Sequence, residues 1–141
     1  MASLRFPPAV IASLAGLSLS ACATMEQPAC AAGQEPMRTA ELFFGRNVGD
    51  KPGVSEEAFR KFVDQELTPR FPEGLTVLDG GGQWQGPENK LIREAAKVVI
   101  LVLPEQDEDE MRKLGEVRQA YVRRFSQDSV MMVTQKACVA F

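Results

Sequence analysis

The chain has no histidine, one tryptophan, one tyrosine and three cysteines in 141 residues. Without histidine there is no His general base, no Ser-His-Asp triad and no His-ligated metal site. Positive charge is also scarce: 16 Lys and Arg face 19 Asp and Glu, a net charge of −3. The basic residues are scattered as well as outnumbered, so nothing resembles a nucleic-acid footprint and no nucleic acid is expected as a partner. No apolar run approaches the roughly 20 residues that span a bilayer. The length suits one hydrophobic core and is too short for two.

An export leader is present. Arg5 supplies a positive start, Ala9 to Leu19 forms a short apolar core, and Leu19-Ser20-Ala21-Cys22 closes it. These four residues resemble a bacterial lipobox, in which the cysteine is lipidated and becomes the new N-terminus. The bland alternative is an ordinary secretory signal cut after Ala21. The expectation is therefore a signal peptide over 1–21, a lipid on Cys22, and a membrane partner through that anchor. Ala23 follows rather than Asp, which by resemblance to other lipoproteins leans toward the outer membrane over the inner. The expected location is the periplasmic face of the cell envelope. Residues 22–36, with Gln, Pro, Gly and Ala and no apolar period, read as a tether.

The domain proper is expected over 37–141, organised around Val98-Val99-Ile100-Leu101-Val102-Leu103 and closed by Pro104. Aliphatics in an unbroken, β-branched-rich run suit a central strand better than a short buried helix. Arg38 to Arg46 reads as a first strand. Ser55 is a good N-cap for a helix whose apolar stripe is Ala58, Phe59, Phe62, Val63 and Leu67, stopped by Pro69 and Pro72. Leu75 to Leu78 is a second strand, Leu91 to Leu103 the third. A second helix runs from about Asp107 to Phe125 with Met111, Leu114, Val117, Tyr121 and Phe125 on one side. Ser129 to Phe141 is the fourth strand. The order β-α-β-β-α-β predicts an α+β fold, the ferredoxin-like split arrangement. Its four-stranded antiparallel-type sheet would be ordered 4-1-3-2, with both helices on one face and strands 1 and 3 parallel in the middle.

Several stretches carry a resemblance: Glu41-Leu42-Phe43-Phe44-Gly45, Thr68-Pro69-Arg70-Phe71-Pro72-Glu73-Gly74-Leu75-Thr76-Val77, Gly82-Gln83-Trp84, Arg93-Glu94 and Ser126-Gln127-Asp128-Ser129-Val130. They are similar to a family of small exported bacterial proteins known only as a domain of unknown function. The resemblance implies a fold unit and an export habit, and brings no activity, cofactor or catalytic residue.

Few residues suggest chemistry. Asp79-Gly80-Gly81-Gly82 lacks the Lys-Ser/Thr of a phosphate loop, and its glycines read better as a strand end or bulge. The acidic run Glu105 to Glu110 reads as a solvated helix start; as a cation site its spacing fits no EF-hand loop. No metal and no cofactor are expected. Strand alternation groups Arg93, Lys97, Val99 and Leu101 on one face, and Glu94, Val98, Ile100 and Val102 on the other. Glu41 is expected to reach Lys97 across neighbouring strands. The candidate ligand-binding residues are Arg70, Trp84, Arg93, Glu94 and Lys97, with Trp84 as an apolar wall and Arg70 as an anion partner.

Helices on one face leave the other open, and Phe43, Val99, Leu101 and Leu103 are expected there. Two functions differ in class. One is a binding or interaction module, pairing with itself as a homo-dimer or with an envelope protein through that face. The other is a cofactor-free enzyme of the dimeric α/β-barrel type. Finally, with Cys22 committed to lipid, Cys30 and Cys138 remain in an oxidising compartment where pairing is the default. An antiparallel fourth strand ends beside the start of the first, and the roughly eight residues ahead of that strand reach about 26–29 Å, enough to bring Cys30 to Cys138.

Overall fold

The computed structural model describes residues 29–49 and 51–141. The leader, the lipid-bearing Cys22 and the first half of the tether lie outside the described residues. Strand β1 is Glu35–Gly45, followed by a small ribbon of β2 (Asn47–Val48) and β3 (Lys51–Pro52). Helix α1, Glu56–Phe62, runs into a π-helical turn at Val63–Leu67. Strand β4 (Thr76–Gln85), β5 (Leu91–Pro104), helix α2 (Glu108–Phe125) and β6 (Met131–Val139) complete the domain.

The four long strands form one sheet in the order β4-β5-β1-β6, and each neighbouring pair is antiparallel. The expected parallel pairing of the two central strands is thus corrected: β1 and β5 run in opposite directions, with Leu42 across from Val99. A crossover through α1 carries the chain past one vacant position to β4. The hairpin then returns β5 into that vacancy, necessarily antiparallel to both.

Strand β4 is longer than expected. Its ladder to β5 runs unbroken from Thr76 opposite Ile100 to Gln85 opposite Leu91, so the three glycines are neither a strand end nor a bulge. Ladder hydrogen bonds come from the main chain, and a long aliphatic neighbour holds even side-chain-free residues in register.

The helices start where side chains can cap them. Ser55 accepts from the Ala58 N–H, and Asp107 Oδ1 accepts from the Asp109 and Glu110 N–H groups. The acidic run therefore serves as a helix start, with Glu105 paired to Lys136. At the end of α1 the Thr68 N–H reaches back to the Val63 carbonyl, a π-type bond that rotates Leu67 into the core.

Both helices pack on one side of the sheet. The core joins Ala40, Leu42 and Phe44 of β1 and Val99, Leu101 and Leu103 of β5 to Phe59, Phe62, Leu114, Val117 and Tyr121. This reverses the expected faces of β5: Val99, Leu101 and Leu103 point at the helices, while Val98, Ile100 and Val102 share the open side with Phe43. The register explains it, since Leu101 lies opposite Ala40 and Val99 opposite Leu42, both buried. Phe44 meets Phe59, Phe62 and Tyr121 edge-on, with centroids 4.7–5.9 Å apart. The Tyr121 hydroxyl donates to the Gly45 carbonyl at 2.8 Å, and burial raises its pKa.

The expected Cys30–Cys138 disulfide is present, with Cα atoms 5.5 Å apart and 108 residues between them. Pro36 pairs with Cys138 in the β1–β6 ladder, so strand pairing itself delivers the second thiol to the tether.

Candidate functional site

The open face of the sheet is not flat. Toward the Gly45 end of β1 lies a half-open groove of about 860 Å³, lined by all four long strands and the loop 126–129. Its floor is built from missing side chains. Gly80 and Gly82 point to this side, opposite Ala96 and Glu94. A methyl group placed on Gly82 would touch only the Glu94 carbonyl oxygen, at 3.9 Å, so any larger residue there would rise into the hollow. Trp84 stands at one rim, 49 % exposed, and Met131 at another, 56 % exposed.

One carboxylate is fixed inside this groove. Glu94 Oε1 accepts the Asn47 backbone N–H at 2.7 Å. Among the described residues, no hydrogen bond is made to Oε2. The closeness of Gly45 is required: a methyl group there would lie 2.6 Å from Glu94 Oε1. Asn47 is itself clamped, its side chain donating to the Arg93 carbonyl and its own carbonyl accepting from Gln127 Nε2. Ser126, in the left-handed conformation that ends α2, turns the chain so that Gln127 and Asp128 reach the groove. A preorganised carboxylate beside an indole and a bare glycine floor can accept from an amine or hydroxyl, or take a proton. Among the described residues no group of three or more metal-ligating side chains stands together.

The sequence-derived candidates divide. Trp84 and Glu94 line the groove. Arg93 is exposed and points to the opposite side of β5. Arg70 lies in the helix layer, bonded to the Glu66 carboxylate at 2.9 Å and 3.6 Å from that of Glu116, so it links the π turn to α2. Lys97 faces the helices, only 4 % exposed, with its Nζ 2.6 Å from Asp79 and 2.8 Å from Glu56 and lying 5.9 Å from the Phe59 ring centroid. The hydrogen bond from Asp79, and then that from Glu56, raise the Lys97 pKa; Lys97 in turn lowers that of Asp79. The expected Glu41–Lys97 pair does not form, because Glu41 lies opposite Ile100 on the other face.

Gly45, Asn47 and Gln127 were not among the candidates. A search for charged side chains passes over a glycine that admits a carboxylate, and over amides that act through the main chain. The available signal was the resemblance itself, since 41–45, 82–84, 93–94 and 126–130 each contribute lining residues.

The model of a family described as "Protein of unknown function (DUF3574)" matches residues 39–141. No curated protein matches the chain. Among solved structures, a phage SAM lyase in complex with S-methyl-5′-thioadenosine aligns with a TM-score of 0.58 at 20 % identity, covering 83 % of this chain and 95 % of that one. The apo state of a phage SAM lyase gives a TM-score of 0.57 at 20 % identity, covering 82 % and 97 %. At that identity the likeness is one of fold.

Proposed function

We propose that this chain, which belongs to the DUF3574 family of unknown function, is a lipid-anchored binding module of the cell envelope that holds a small molecule in the glycine-floored groove. The observation that carries this reading is the combination of a ligand-sized hollow with one positioned carboxylate, Glu94, and one rim indole, Trp84. Ligand pockets run to roughly 300–1,000 Å³, mostly apolar with a few fixed polar groups, and this groove has that character. Its chemistry favours a flat apolar ring over Gly80 and Gly82 against Trp84, with a hydroxyl or amine donating to Glu94. The strand order β4-β5-β1-β6 with both helices on one side supports reading the domain as ferredoxin-like. The lipobox at Cys22 supports the anchor, and the Cys30–Cys138 disulfide supports an oxidising compartment outside the cytoplasm.

The second reading is a cofactor-free enzyme, favoured by the shared fold with a phage SAM lyase. It would rest on Glu94 alone among the residues first singled out, because Lys97 and Arg93 face away from the groove. S-methyl-5′-thioadenosine, the molecule in that neighbour, is a suitable first probe. Calorimetric titration of the full-length protein should show saturable binding that Glu94→Ala weakens about tenfold, the loss of one charged hydrogen bond. Turnover of S-adenosylmethionine by the same protein would favour the enzyme. If the probe does not bind, and native mass spectrometry of protein from its host shows no retained small molecule, the groove is not a ligand site. Cys22→Ser should move the protein from the membrane to the soluble fraction; unchanged sedimentation would refute the anchor.

A further inference from the structure

Beside the groove, the open face carries Phe43, Leu78, Val98, Ile100, Val102, Met131 and Val133, of which Leu78, Val102, Met131 and Val133 are exposed. By register, the residues that the four strands present on this side include Glu35, Glu41 and Glu94 and no Lys or Arg. Two properties of the face indicate what covers it. The first is charge: a surface with carboxylates and no cation is repelled by anionic lipid headgroups, so lying flat on a bacterial membrane is disfavoured. The second is area. Four strands about 4.8 Å apart, each about nine residues at about 3.3 Å, make a plane near 30 by 19 Å, or about 570 Å². Side-chain relief brings the accessible area toward the roughly 800 Å² per partner of a standard stable interface.

Shape adds a third argument. Twisted sheets stack face to face at about 10 Å, and the partner guaranteed to match the width and twist of this sheet is the same sheet. A self-facing contact requires projections and a hollow on one patch, so that each copy fills the other. Met131 and Val133 project on the β6 side, and the hollow over Gly80, Gly82 and Ala96 lies on the β4–β5 side.

We infer that the open face is an interface between two copies of this chain, stacked sheet to sheet, with the apolar side chains of one copy covering the groove of the other. The interface stands whether or not the groove takes a ligand.

Full-length protein in detergent, measured by light scattering after size exclusion, should have the mass of at least two chains at micromolar concentration. Val133→Lys and Val102→Lys should each weaken association by about 100-fold or more with unchanged circular dichroism, whereas Gln119→Lys on the outer side of α2 should not. Trp84, the sole tryptophan, gives a readout that needs no substitution: its emission should shift to the red and become more quenchable by acrylamide as the protein is diluted. A parent that is monomeric at about 100 µM, or an oligomer indifferent to both lysines and to Trp84 exposure, overturns the inference. Ligand titration is a separate measurement, so failure of the groove as a binding site and failure of the interface are distinguishable.

Discussion

Leu101 and Val102 are neighbours of similar chemistry on the same strand, yet one is 1 % exposed and the other 37 %. The two faces of this sheet differ in the same way throughout. On the helix side, β1 and β5 supply alternating residues to a core closed by Phe59, Phe62 and Tyr121. On the open side the same strands carry comparable aliphatics with no helix over them. The comparison extends to the strands: β1 and β5 each bury several side chains, whereas β4 and β6 bury none. The centre of the sheet is held by packing; its edges are held by main-chain ladders and, for β6, by a disulfide. Hydrophobicity alone therefore does not mark a core in this domain. Geometry assigns one set of apolar residues to stability and leaves the other set free for recognition.

The largest expected effect comes from putting a charge on the covered face. Leu101→Lys loses a buried side chain and strands an unpaired ammonium among aliphatics, a cost above about 5 kcal/mol and enough to abolish cooperative folding. Val102→Lys, one residue on, should change the urea-unfolding free energy of the dissociated chain by less than about 1 kcal/mol. Similar destabilisation by both would erase the distinction between the faces.

Next is the staple on β6. Cys138→Ser opens a loop spanning 108 residues of separation, for which chain entropy gives roughly 4–5 kcal/mol, an upper figure if the unfolded chain is compact. Thermal unfolding with and without reductant measures the loss. Amide exchange should rise first and most in Met131–Val139, because that strand has no buried side chain to hold it. Uniform exchange across β5 and β6 would show instead that edge and centre melt as one unit.

The smallest effect belongs to the one charge on the covered face. Lys97→Met exchanges an ion-paired ammonium for an apolar chain of similar length, and should cost less than about 1 kcal/mol or stabilise the fold. The pH dependence sharpens this. The raised pKa of Lys97 gives stability that is fully present below the ordinary lysine value of 10.5 and lost as pH rises through the higher folded value. The lowered pKa of Asp79 gives stability present above 3.8 and lost as pH falls through the folded value. The contribution of the ion pair, read as parent minus variant, should thus be level between those limits and decline outside them. A level difference across the whole range would show that the pair contributes nothing.

Much of the architecture was legible before any coordinates. The α2 boundaries follow from an Asp cap, an acidic first turn and a stripe at spacings of three and four, all local. The same holds for the Ser55 cap of α1. The four-stranded antiparallel sheet, its two helices and the Cys30–Cys138 bond followed from element order and from a thiol count in an exported chain. What was misread was the direction of β5 against β1, the extent of β4 and the faces of β5. In β5 the positions of both parities are aliphatic from Val98 to Leu103, so alternation separates them into two sets without saying which is inside. Lys97 pointed the wrong way because a long aliphatic stem with two carboxylates in reach, Asp79 and Glu56, can be buried. Of the candidate ligand-binding residues, Glu94 and Trp84 were recognisable by type. Gly45, Asn47 and Gln127 act through space and main-chain hydrogen bonds, to which residue type gives little clue.

The sequence by itself determined where the elements begin, which thiols pair and which face-sets alternate, because caps, periodicity and topology act over a few residues or through chain connectivity. Only the tertiary structure decided which side of the sheet the helices cover, and hence that Leu101 is core while Val102 is surface. It also decided that three glycines lie inside a strand and leave a hollow beside Glu94. Those outcomes depend on the register of β4 and β1 against β5, set by side chains far apart in the chain packing together, and no local pattern encodes them.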